Sequence, residues 1–188
     1  MMKTALALGV SAALMTTAGC NQNGATQNQT GQTPAAAKAA GSKTIAAGLA
    51  PNSRFLAAAK AAGIDKTLAG PGPYTVFVPD DAAFAKLPPG TIDNASDPQQ
   101  RAKITAILTY HILPGTVLAA DIGKTIDNGK GKAVMMTVGG QTFTASREGS
   151  NIVLTDAAGN KAQVTKPDEQ YSNGVVHHLN GVLMPPKG

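Results

Sequence analysis

The apolar positions of this chain change their period several times, and each change marks an element. Ile45 and Leu49, then Phe55, Leu56 and Ala59, fall three and four apart, which predicts helices. Asn52 or Ser53 supplies a cap, Gly63 suits the position after the helix end, and Ile64 with Leu68 adds one more turn. Gly70-Pro-Gly-Pro73 breaks the pattern. From Tyr74 the period drops to two, placing Val76 and Val78 on one face of a strand and Thr75 and Phe77 on the other. Both faces are apolar enough to be covered. Pro79 has no N–H to give to a ladder, so the strand stops there, and Asp80 is placed to cap a short helix. In that helix Ala83, Phe84 and Leu87 share a face, and Pro88, Pro89 and Gly90 end it.

Asp97-Pro98 opens a second long helix, with Ile104, Ile107, Leu108 and His111 on its inward face and Pro114-Gly115 beyond its end. A short segment, Val117 to Ile122, leads to three pairs of strands. Ala133–Val138 and Gln141–Ala145 flank a two-residue turn at Gly139-Gly140. Asn151–Thr155 and Lys161–Thr165 flank Asp156 to Asn160, and Val175–Leu179 and Val182–Met184 flank Asn180-Gly181. Helices first and antiparallel strands later predict an α+β domain with helices gathered on one side of a sheet.

The first 43 residues do not share this patterning. A basic start at Lys3, an apolar run from Ala5 to Met15 too short to span a bilayer, and Thr17-Ala-Gly before Cys20 predict a signal peptide over residues 1–19. Cys20 is the only cysteine, so no disulfide can form within the chain, and its position predicts cleavage before it and acylation of its thiol. The stretch resembles a bacterial lipoprotein signal, departing from it at Thr17, where Leu is usual. Asn21 in place of Asp favours the outer membrane, with the domain facing either the periplasm or the cell surface. Residues 21–43 hold no aromatic or branched aliphatic side chain, which predicts a disordered tether with a reach of about 27 Å. The folded domain is then expected over residues 44–186.

Composition narrows the chemistry. With no Trp, four Phe and three Tyr, the core leans on Val, Ile, Leu and Ala. The formal charge is +5, and loss of Lys3 with the leader leaves 15 Lys and Arg against 11 Asp and Glu. Lys124, Lys130 and Lys132 bracket Asp127-Asn128-Gly129, a local basic edge suited to anionic polysaccharide or lipid headgroups. Nucleic acid is not expected, since stacking aromatics and an Arg-rich surface are missing. The sequence carries no nucleophile elbow, zinc-helix motif, phosphate loop or dinucleotide fingerprint, so no enzyme, cofactor or catalytic residue is expected. His177 and His178 are neighbours on a predicted strand and point opposite ways, so they cannot chelate one metal together, and no metal is expected. His111 and His177 read as buried neutral imidazoles bonded to backbone carbonyls. Asp80 and Asp81 could form a paired-carboxylate site, but one capping the helix and the other favouring its dipole needs no substrate. Met135 and Met136 face opposite ways, one to the core and one outward.

Three ordered blocks resemble the fasciclin-like (FAS1) family. Thr75, Phe77, Pro79, Ala83 and Phe84 match its first motif, Tyr110-His111 with Pro114-Gly115 its Tyr-His motif, and Asn173 through His177 with Val182 to Pro185 its closing motif. On this basis Thr75, Phe77, Pro79, Asp80, Phe84, His177 and Asn180 are the fold-defining residues. Asn180 stands where the family most often has Asp, and His178 where it is usually apolar. The resemblance implies a twisted β-sandwich or wedge decorated by helices, in a single copy. It also implies a non-catalytic adhesion or interaction module at the cell surface, binding proteins or matrix polymers, as animal relatives mediate adhesion through the region of their Tyr-His motif. Tyr110 and His111 are therefore candidate interaction residues beside Lys124, Lys130 and Lys132. The alternative it implies is a binder of a small apolar ligand, a lipid or carotenoid, in the periplasm, and Met135 and Met136, whose flexible thioethers suit an apolar groove, motivate it. Acyl chains contribute about 0.8 kcal/mol per buried methylene, so losing them frees the protein. Replacing Cys20 by Ser is therefore expected to move the protein from the membrane to the soluble fraction of lysed cells, and retention with membranes would refute lipidation.

Overall fold

The structure, a computed structural model, describes residues 41–92 and 97–186; the leader, Cys20 and most of the tether lie outside the described residues. Three short helices come first, α1 (Ile45–Gly48), α2 (Arg54–Ala62) and α3 (Asp65–Ala69). Strand β1 (Tyr74–Pro79), α4 (Asp81–Ala85), α5 (Pro98–Tyr110), β2 (Ile112–Pro114) and α6 (Ala119–Asn128) follow. Strands β3 (Lys132–Met136), β4 (Thr142–Glu148), β5 (Asn151–Thr155), β6 (Lys161–Tyr171) and β7 (Gly174–Leu179) complete the domain. The sheet runs β2-β1-β7-β6-β5-β4-β3. Every pair is antiparallel except β1 with β7. Beyond β3, the Val138 N–H donates to the Ile112 carbonyl at 2.8 Å, so the two ends of the sheet meet and it is nearly a barrel.

β1 divides the interior. Val76 and Val78 pack with Phe55, Leu56 and Leu68 of the early helices and with Phe84, Ile104 and Leu108. Phe77 points into the barrel, among Tyr110, Phe143, Leu154, Leu179, Ile122 and Ile126. Its ring meets Phe143 edge-on at 5.5 Å and stacks on the His177 imidazole at 5.2 Å.

Polar anchors join the layers. Ser53 caps α2, Asp80 caps α4 by accepting from the Ala83 N–H at 2.6 Å, and Asp97 caps α5. The Thr75 hydroxyl, fully buried, donates to the Gly115 carbonyl and accepts from the Val117 N–H, both at 2.8 Å. Asn173, in the two-residue turn between β6 and β7, accepts from the Ile45 N–H at 2.8 Å and donates to the carbonyls of Leu68 and Gly70. One amide thus ties the start of α1 and the end of α3 to the sheet. Beside it, a Cβ at Gly174 would lie 1.9 Å from the Tyr74 carbonyl oxygen, so the parallel pair closes only on glycine.

The structure departs from the expected elements in five places, the first being β2, a strand at residues 112–114 where the sequence predicts only the helix end. Val117 to Ile122 is no extended segment: α6 starts at Ala119 and runs through the position read as a turn at residues 127–129. Mid-helix Gly123 and only two large apolar side chains, Ile122 and Ile126, conceal it in the sequence. A Cβ at Gly123 would press on the Arg147 guanidinium, so the glycine admits that side chain. α6 packs against β3 and β4, apart from the helices that cover β1. The β3–β4 turn has three residues, because the Thr137 N–H bonds the Gln141 carbonyl and Gly140 takes φ 77°. β6 continues to Tyr171 across Pro167, with register shifts between Val164 and Glu169 that take the proline out of the ladder. Val182 to Met184 forms no strand; these residues cross the domain as an extended tail.

Asn173→Ala strands two carbonyls and one N–H at about 1 kcal/mol or more each, so it is expected to lower stability by about 3 kcal/mol in urea unfolding. A loss below about 1 kcal/mol would refute the clamp.

Candidate interaction surface

The two residues of the Tyr-His motif lie inside the domain. Tyr110 closes α5 with its ring 0% exposed, 5.9 Å from Phe143, and its hydroxyl donates to the Thr142 carbonyl at 2.7 Å. Burial pushes this phenol above its ordinary value. His111, 1% exposed, bridges two segments: Nδ1–H donates to the Ile107 carbonyl at 2.8 Å and Nε2 accepts from the Leu183 N–H at 3.1 Å. Neither side chain offers a surface to a partner, which corrects the expectation that they make the contact. They were chosen by motif, and a motif does not say which way a side chain faces.

The remaining histidines divide as expected of neighbours on a strand. His177 is buried; its Nε2–H donates to the Val117 carbonyl at 2.9 Å and its Nδ1 accepts from the Asp168 N–H at 3.1 Å. Burial lowers its pKa. His178 faces outward, half-buried, with Nε2 2.9 Å from the Glu169 carboxylate. That carboxylate also takes Lys166 at 2.9 Å and the Tyr171 hydroxyl at 2.7 Å, and the Lys166 bond leads in holding its pKa down to about 2. Asn180 anchors β7 to β6: its side-chain oxygen accepts from the Gln163 N–H at 2.8 Å. Pro79 ends β1 and Phe84 is buried beneath it. Asp81 accepts from the Arg54 N–H at 2.9 Å, so it joins α4 to the start of α2. Among the described residues no three His, Cys, Asp or Glu side chains are grouped to hold a metal ion.

The lysines separate as well. Lys124 lies on α6 and pairs with Asp121 at 3.5 Å. Lys130, at φ 56°, and Lys132, opening β3, are exposed and have no ion pair among the described residues. From Lys132 an apolar row continues on the same face: Val134 is 70% exposed, Met136 65% and Val138 46%. The opposite face of the strand sends Ala133 and Met135 into the barrel. Facing residues on β4 are Thr142, Thr144 and Ser146. The sequence reading assigned one of the two methionines outward but missed the row, because a strand apolar on both faces reads as covered on both. Here β3 is a terminal strand, and among the described residues its outer face stays open to solvent.

A groove of about 490 Å³ opens between α5, the Pro89–Thr91 loop and the tail Met184–Pro186. No helix among the described residues is long and apolar enough to cross a membrane.

Both inner imidazoles are held neutral in the fold and take a proton freely once unfolded, so acid favours unfolding. For His111, burial lowers the pKa from 6.5 to about 4. Its contribution is complete above pH 6.5, declines as pH falls toward 4, and totals about 3 kcal/mol. His177 acts in the same direction. The urea midpoint is expected to fall between about pH 7.5 and about pH 4.5, with a shallower fall in His111→Gln; equal slopes would refute the assignment.

A family model described as Fasciclin domain matches residues 51–185. Protein sll1483 of Synechocystis is 35% identical over 115 residues, covering 61% of this chain and 57% of its own. The cell surface glycolipoprotein MPB83 of Mycobacterium bovis is 31% identical, covering 61% of this chain and 45% of its own. The chain thus spans about half the length of these relatives. A FAS1 domain pair from the insect cell adhesion molecule Fasciclin I superposes with a TM-score of 0.57 at 18% identity, over 76% of this chain and 51% of that one. Residues 51–185 span most of the ordered elements described above, with the first motif on β1 and α4 and the closing motif on β7 and the tail: the chain belongs to the fasciclin domain family.

Proposed function

We propose that this protein is a non-catalytic interaction module, held at the cell envelope through acylated Cys20, that attaches the cell to protein or matrix-polymer partners. The observation that carries this reading is the bare row of Val134 and Met136 on β3 and Val138 just beyond it, with Lys130 and Lys132 at its end. Apolar side chains held open to water in a line, next to cations with no ion pair among the described residues, fit an anionic partner that covers the row and neutralises the lysines. An adhesion molecule and a cell-surface glycolipoprotein among the similar proteins support the same reading. The anchor would belong to the outer membrane, and a tether with a reach of about 27 Å would let the domain meet its partner away from the lipid.

A second reading, a carrier of a small apolar ligand, is favoured by the groove beside α5. Of the methionines that suggested it, Met135 fills the barrel and Met136 stands on the bare row, so neither lines that groove.

The attachment reading is tested by deleting the gene and restoring it as wild type or as the double variant Val134→Thr, Met136→Thr. Wild type is expected to restore adherence and the variant to fail, although surface changes of this kind leave stability within about 0.5 kcal/mol. Adherence that survives the deletion, or that the variant restores in full, would overturn the proposal.

A further inference from the structure

Beside α5 the chain forms a groove, and two of its three sides are pinned to one buried side chain. One wall is α5, with Gln100, Lys103 and Ile107 following one another at helical spacing. The other is the tail from Met184 to Pro186. His111 joins them, donating to the carbonyl of Ile107 and accepting from the N–H of Leu183. A second bond, from the Met184 N–H to the buried Asp156 carboxylate at 2.9 Å, holds the tail again. These two sides are therefore held in place before an occupant arrives, and the Pro89–Thr91 loop forms the third.

Its chemistry is asymmetric. Ile107, Ala106, Met184 and the prolines make the lining apolar. Two polar groups stand on the α5 side. Lys103 has no ion pair among the described residues, and Gln100 carries a side-chain oxygen that is buried with no hydrogen-bond partner. That oxygen is sealed from the groove, so what Gln100 offers an occupant is the N–H end of its amide. A ligand that places an anionic head at Lys103, takes an N–H from Gln100 and lays an aliphatic chain along Ile107 and Met184 matches the lining group by group.

We propose that this groove binds a long-chain carboxylate, with Lys103 and Gln100 holding the head and the apolar lining holding the chain. The proposal rests on the carrier reading and is independent of the β3 row. It also gives His111 a place: the imidazole positions both walls without touching the ligand.

The test uses the full chain with Cys20→Ser, purified without detergent, titrated calorimetrically with dodecanoate and with dodecanol. Dodecanoate is expected to bind one to one, and dodecanol at least about tenfold more weakly, since a charge-assisted head contact contributes about 1.5–3 kcal/mol. Lys103→Met is expected to weaken dodecanoate about tenfold or more and leave dodecanol unchanged. Ala106→Trp, on the exposed side of the lining, is expected to abolish binding of both. Equal affinity for the two probes, a silent Lys103→Met, binding that survives Ala106→Trp, or no binding at all would each overturn the assignment. Titration leaves the attachment reading untouched, because that reading is scored on cells through Val134 and Met136.

Discussion

β1 is six residues long and both of its faces are buried, so the domain has to supply two cores. Helices α1 to α5 cover the side of Val76 and Val78, while the strands curl around the side of Phe77 until β3 and β2 nearly meet. The parallel pairing of β1 with β7 carries this arrangement, since it brings the last strand beside the first and leaves the intervening chain to wrap between them. That closeness requires Gly174, whose missing side chain lets the two backbones touch. Fully burying a side chain such as Phe77 contributes about 1.5–3 kcal/mol, so a strand whose side chains are buried on both faces weighs heavily in a domain with few aromatics.

Polar groups in the interior do the joining that apolar packing cannot specify. Thr75, Asn173, His111 and His177 each satisfy backbone groups from segments far apart in sequence, and the fold keeps both buried imidazoles neutral. They fix which loop lies against which strand. The Tyr-His pair belongs here as structural groups: Tyr110 ties α5 to β4, and His111 ties α5 to the tail.

Two outer features remain available for binding, and they differ in kind. The β3 row is flat and apolar with cations at one end, suited to a broad partner. The groove is concave and lined by prolines, Ile107 and Met184, suited to a narrow one. They lie on different elements, β3 for the row and α5 with the tail for the groove, so occupation of one need not exclude the other.

The early helices running into β1, the caps at Ser53, Asp80 and Asp97, the two covered faces of β1 and the buried neutral histidines were all legible in the sequence. Each follows from local spacing or from a side chain bonding a backbone group within a few residues. α6 was not legible, because Gly123 weakens its local preference and packing on β3 and β4 stabilises it instead. Pro167 hid the length of β6, since a bulge that removes a proline from a ladder depends on the partner strand. The binding surfaces were least legible: Tyr110 and Val134 are both apolar-bodied residues on regular elements, and only the closure of the sheet decides that one is sealed and the other bare. Local chemistry by itself determined the capped helices and the start and stop of β1, while α6, the length of β6 and the outward face of each residue were decided by long-range packing and pairing, above all the meeting of β1 with β7.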